Sequence, residues 1–249
     1  MVKRLTIDDI NVDDILTVTD VDYGFSPEIA TTYHEFDGIS GAIYQREKFK
    51  ARKISIKYKM IGNLEQKKGL LQVILFKKGM RKIVFGDNEK VYYKGVVTGS
   101  PEFIKKTFSY AVGSFDFLCT DPFAYSIQEK QALLVNKTLV FENSGTTDVY
   151  PVFTIRAISS LKLFALSHPS GYAFQLGSEN GDVFLNANDS MVIDMSRNAI
   201  FINGKRVFKP FNLSSEPICI KPGRTDLGIS INNGASLPNV TATYREAYL

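Results

Sequence analysis

The second half of this 249-residue chain is a succession of short apolar runs cut by Gly, Asn, Ser and Pro, a rhythm compatible with few folds. TLVFE begins at Thr138, PVFTIRA at Pro151, LKLFALS at Leu161, YAFQL at Tyr172 and DVFL at Asp182. MVIDM follows at Met191, AIFIN at Ala199, PICI at Pro217, LGISI at Leu227 and VTATYREAYL at Val240. They recur at about the 8–12 residue spacing of a β-sandwich. Asn203-Gly204, between AIFI and KRVF, has the composition of a two-residue type I′ hairpin, in which both central residues need positive φ.

The first half reads differently. EKFKARKISIKYKM from Glu47 alternates, but its phase changes midway, which predicts one long strand with a bulge near Arg52 and Lys53. Asn63 then caps a helix, LEQKKGLLQVILFKKG from Leu64, with Leu64, Leu70, Leu71, Ile74 and Leu75 on one side. Lys77 and Lys78 fall in its last turn and Gly79 stops it, so the helix would be about 24 Å long at ~1.5 Å per residue. Strands resume with RKIVFGD from Arg81, VYYKGVVTG from Val91 and TFSYAVGSFDFLC from Thr107, the last with a phase change at Gly113. Asp121-Pro122 signals a turn, and IQEKQ from Ile127 reads as a connector. The expected fold is therefore mainly β with one helix, an α+β domain over 1–132 and a β-sandwich over 133–249.

The charges of the first third are segregated. Residues 1–40 carry nine acids against Lys3 and Arg4, a balance of -7, whereas Gly41 to Lys82 holds thirteen basic residues and two acids, a balance of +11. Such blocks can neutralise each other within one fold, between copies, or against an anionic partner. The whole chain is only +4, weak support for a nucleic-acid binder. Cys119 and Cys219 each lie in an apolar run and read as free thiols. No stretch approaches the ~18 apolar residues of a membrane span, and MVKRLTIDDINVDD turns acidic where a signal peptide needs an apolar region. These features point to a protein made and folded in a reducing cytoplasm, without membrane insertion.

The search for chemistry returns little. His34 and His168 fall in different halves, no G-x-S-x-G or P-loop motif is present, and no four-ligand zinc cluster can be assembled locally. Asp8-Asp9 and Asp13-Asp14 are adjacent carboxylates, which on a strand would point to opposite faces, and Asp20 and Asp22 lack the rest of a calcium loop. Tyr150, Tyr172 and Tyr244 read as core or half-buried strand residues, and there is no Trp to serve as a sugar platform. No catalytic residue, cofactor site or metal site is expected; the chain reads as a scaffold or binding module.

SFDFLCTDPFAYS (Ser114 to Ser126), NSGTTDVYPVFTIRA (Asn143 to Ala157), MVIDMSRNAIFINGKRV (Met191 to Val207), IKPGRTDLGISI (Ile220 to Ile231) and the terminal TATYREAYL follow one another in a familiar order. In that order and at that length the chain resembles the distal tail proteins of siphophages infecting Gram-positive bacteria. The resemblance implies an N-terminal domain that builds a hexameric ring, a galectin-like C-terminal sandwich, and a place at the virion tail tip in host adsorption. Its implied partners are further copies of itself, the major tail tube protein, the tail-associated protein and receptor-binding or baseplate proteins. DNA would be met only in transit through the ring.

A closed ring needs two different faces on each subunit, and the charge blocks offer them. Lys57 and Lys59, which share the face opposite Ile56, Tyr58 and Met60, are the expected basic contacts, and Asp8, Asp9, Asp13 and Asp14 the acidic ones. The same basic residues could instead line the channel. The alternative function is a carbohydrate-binding adhesin that uses the second domain on the host cell wall.

Overall fold

A computed structural model describes residues 4–38, 40–169, 171, 173–208, 215 and 217–249. The chain divides into two compact units, one ending at Ile127 and the other spanning Gln128–Tyr248.

The first unit contains β1 (Leu5–Ile7), β2 (Ile10–Asn11), β3 (Thr17–Asp22), β4 (Ile29–Glu35), β5 (Ala42–Phe49), β6 (Arg52–Ile61), α1 (Leu64–Leu75), β7 (Arg81–Phe85), β8 (Val91–Lys106), β9 (Tyr110–Cys119) and β10 (Ala124–Ser126). An antiparallel sheet runs in the order β2-β1-β7-β8-β9-β6-β3, with β10 added to β8. Strict alternation in β6 sends Ile54, Ile56, Tyr58 and Met60 inward, where they meet Phe115 and Phe117 of β9 and Leu64, Leu71 and Leu75 of α1. Four corrections to the sequence reading follow from this packing. The phase change near Arg52 marks no bulge, because Lys50 and Ala51 separate two strands that belong to different sheets. β9 keeps one phase throughout, burying Ala111, Gly113, Phe115, Phe117 and Cys119, so Gly113 does not reverse it. The helix stops at Leu75 with Phe76 as its C-cap, which leaves Lys77 and Lys78 beyond it and Leu70 exposed. Asp8 and Asp9 lie on no strand: both have positive φ, 48° and 65°, and make the two-residue turn between β1 and β2. The Asn63 cap is as expected, its side chain accepting a 3.3 Å hydrogen bond from the Gln66 amide.

The second unit contains β11 (Lys130–Gln131), β12 (Leu133–Val135), β13 (Thr138–Asn143), β14 (Val152–Arg156), β15 (Leu163–Ser167), β16 (Ala173–Gly177), β17 (Ser190–Asp194), β18 (Ala199–Ile202), β19 (Lys205–Val207), β20 (Gly223–Ile231), β21 (Asn239–Tyr244) and β22 (Ala247–Tyr248). Two antiparallel sheets, β11-β21-β14-β17-β18-β19 and β12-β13-β20-β15-β16, face each other. Phe141 and Phe153, one from each sheet, meet edge to face at 6.3 Å, and Tyr244 packs on Phe141 at 5.5 Å. Asn203 and Gly204 form the expected tight turn at φ 48° and 78°. DVFL and PICI are not strands; each contributes a single bridge, Leu185 to Leu161 and Ile220 to Val149. The connector read in IQEKQ includes β11, which pairs with β21. Tyr244 is buried as expected, whereas Tyr150 is exposed, and Tyr172 lies outside the described residues.

Candidate functional site

β4 and β5 form a sheet of their own, an arm of two strands with no third strand on either edge among the described residues. Its register runs from Ile29 opposite Phe49 to Glu35 opposite Ala42, with Tyr33 opposite Tyr44 after a bulge. All eight residues of β5 are exposed. Tyr33, Phe36, Ile43 and Tyr44 are each more than half exposed, at 56%, 53%, 56% and 58%. The base is better held: Phe49 meets Phe123 edge to face at 5.7 Å, the Lys50 amide donates to the Glu28 carbonyl at 2.7 Å, and Lys50 Nζ lies 2.5 Å from Glu28 Oε1. Two strands alone are marginally stable in water, and clustered exposed apolar side chains mark surfaces that another molecule covers. The apolar residues of this arm lie within the acidic and basic blocks, a position that the helix-and-strand reading of the sequence passed over.

The charged residues expected at a subunit interface are largely engaged within the chain. Asp8 Oδ2 accepts from Arg81 Nη1 at 2.5 Å, while its Oδ1 accepts from the Lys82 amide at 2.9 Å. Arg81 also donates to the Ile74 carbonyl, tying the end of α1 to the β1–β2 turn. Lys82 Nζ reaches Asp9 at 2.9 Å, and Arg4 reaches Asp13 at 3.4 Å. Lys57 pairs across the sheet with Asp20 at 3.2 Å. Lys59 and Asp14 have no ion-pair partner within 4 Å among the described residues. The structure therefore does not gather these six residues into one place: the β1–β2 turn, the loop after it and β6 hold them separately. Much of the charge segregation is neutralised inside the first unit.

His34 lies on the exposed arm, and His168 stands in a turn of the other unit. Burial pushes the Cys119 thiol up to about 11, so it is not a thiolate at neutral pH. Among the described residues no group of three or more His, Cys, Asp or Glu could hold a metal ion, and no helix is long and apolar enough to cross a membrane.

Against this background of exposed arm, antiparallel sheet and sandwich, two family models match the chain. The phage tail protein RIFT-related domain covers residues 10–119, and the siphovirus-type tail component C-terminal domain covers residues 144–248. The chain belongs to the siphophage distal tail proteins, a structural component of the phage tail. Among solved structures it is similar to the SPP1 Dit (gp 19.1) protein, described as a paradigm of the hub adsorption apparatus in phages infecting Gram-positive hosts. That match has a TM-score of 0.81 and 17% identity, and covers 100% of both chains. A chain of the phage P2 baseplate in its activated conformation with Ca matches at a TM-score of 0.51 and 10% identity, covering 99% of this chain and 98% of that one. No protein of curated function matches the sequence.

Proposed function

We propose that this protein closes into a hexameric ring at the virion tail tip. In that ring the first unit makes the subunit contacts, and the second, a galectin-like sandwich, offers a surface to receptor-binding or baseplate proteins. The ring joins the major tail tube protein to the tail-associated protein and lets DNA through without reading it. It is made in the host cytoplasm, and its role is architectural, with no catalytic step. The arm carries this reading, since a two-stranded sheet exposing Tyr33, Phe36, Ile43 and Tyr44 is suited to lying on a neighbouring copy. Charge supplements it: Lys59 and Asp14 remain available for contacts between copies, with Lys57, Asp8, Asp9 and Asp13 exchanging partners at the margin of the interface.

Negative-stain electron microscopy of the purified chain, alone and with its tube partner, tests the proposal. Six-fold rings are expected, with a mass of roughly 170 kDa, six times the 27.9 kDa chain. Single particles of one chain under both conditions would refute it.

A further inference from the structure

A groove opens between α1 and the β6–β8 side of the first unit, with a volume of about 260 Å³. Met60, Leu71, Leu75, Phe76 and Phe103 make it apolar, and Lys68 stands on its wall. β8 is irregular beside it. Between Thr98 and Glu102 the pairing with β9 slips, and Gly99, at φ 70°, and Pro101 form the far wall of the groove. Lys77 and Lys78 follow Phe76 immediately and are exposed. No carboxylate lies within ion-pairing distance of Lys68, Lys77 or Lys78 among the described residues. The groove is thus an apolar slot with one cation, Lys68, on its wall, and two more, Lys77 and Lys78, next along the chain from Phe76.

The tip of the arm has the opposite character. Phe36 is 53% exposed, its ring 6.4 Å from that of His34, and it stands between Glu35 and Asp37, both exposed. Neither carboxylate has an ion-pair partner among the described residues. One aromatic ring flanked by two negative charges matches one apolar slot with Lys68 on its wall and Lys77 and Lys78 just beyond Phe76 in the chain. Size agrees as well, because an apolar cavity of about 150 Å³ already accepts a benzene ring.

We infer that Phe36 of one copy inserts into the α1–β8 groove of the next, with Glu35 and Asp37 paired to Lys68, Lys77 and Lys78. This rests on the ring reading above and names the contact that would close the ring. Tip and groove are different surfaces of one unit, so the contact is head-to-tail, as a cyclic assembly requires. The apolar insertion gives hold, and the charges set which way the arm lies.

The test replaces Phe36 with the photo-crosslinking residue p-benzoylphenylalanine in the full chain and mixes it with isotopically heavy copies before irradiation. The expected product joins position 36 of one copy to a heavy peptide containing Lys68 to Phe76 or Gly99 to Phe103. A second arm uses charge exchange. Glu35→Lys with Asp37→Lys should weaken assembly about tenfold, and adding Lys68→Glu, Lys77→Glu and Lys78→Glu should restore it. Crosslinks to another surface of the neighbour, crosslinks within one copy, or undiminished assembly of the reversed arm would overturn the docking while leaving the ring intact. A wild-type chain that stays monomeric at every concentration, with and without its tube partner, would overturn the ring itself.

Discussion

β5 and β6 are consecutive strands two residues apart, joined through one charged run that begins at Glu47, and they meet opposite fates. β6 lies between β9 and β3 and buries Ile54, Ile56, Tyr58 and Met60 on its inner face. β5 has β4 as its sole described partner and buries nothing. Both segments form strands, but forming a strand does not by itself specify a core. Each fully buried Ile or Met of β6 contributes about 1.5–3 kcal/mol, whereas Ile43 and Tyr44 of β5 gain little until something covers them. The stability of one strand is therefore internal to the unit, and in the proposed ring that of the other comes from a second copy.

Excising the arm tests this contrast most severely. Replacing Ile29–Phe49 by a short Gly-Ser turn should abolish the ring yet move the melting temperature by less than about 4 °C, as calorimetry and mass photometry would record. A large fall in melting temperature would mean that the arm belongs to the core after all. Single substitutions sharpen the comparison. Phe117→Ala, at a fully buried site facing β6, should cost about 3–5 kcal/mol in denaturant unfolding. Tyr44→Ala should cost the isolated chain less than about 0.5 kcal/mol while weakening assembly.

Burial raises the pKa of Asp116, but hydrogen bonds from Lys53 and Ser55 and the Lys53 charge outweigh it, holding the carboxyl below the usual aspartate range. A depressed folded-state pKa contributes stability above the unfolded value of about 3.9, lost as pH falls through the folded value. Asp116→Asn should therefore flatten the acid limb of a melting-temperature profile below about pH 4, by an amount near 1 kcal/mol because Lys53 is well exposed. The smallest effect is expected from Lys57→Glu with Lys59→Glu. Since Lys57 already pairs with Asp20, reversal should cost about 1 kcal/mol or less in folding. Its effect on assembly should be visible at low salt and fade at high salt.

Periodicity made most of the architecture legible. The single capped helix, the inward face of β6, the Asn203-Gly204 hairpin and most strands of the sandwich follow from 2.0 and 3.6 residue patterns that local chemistry imposes. What it missed has a common physical origin. DVFL and PICI have strand composition, but each finds only one bridge partner. Lys77 and Lys78 look like helix-terminal lysines, but Phe76 ends the helix first. Asp8-Asp9 look like strand neighbours because a left-handed Asp pair leaves no more mark on a sequence than an extended one. The arm was hidden because the reading of the first 46 residues rested on charge alone, and Tyr33, Ile43 and Tyr44 have the same strand-favouring chemistry whether they face a core or solvent. Charge segregation was visible, but the pairing of Asp8 with Arg81 and of Lys57 with Asp20 depends on contacts between residues 73 and 37 positions apart.

Hydrogen–deuterium exchange on the chain before and after assembly compares the two strands directly. The amides of Arg52–Ile61 should be protected in both states, and those of Ile29–Glu35 and Ala42–Phe49 should exchange quickly in the free chain and slow by at least about tenfold in the ring. Arm amides that are equally protected in both states, or equally unprotected, would contradict the claim that the arm is completed by a neighbouring copy.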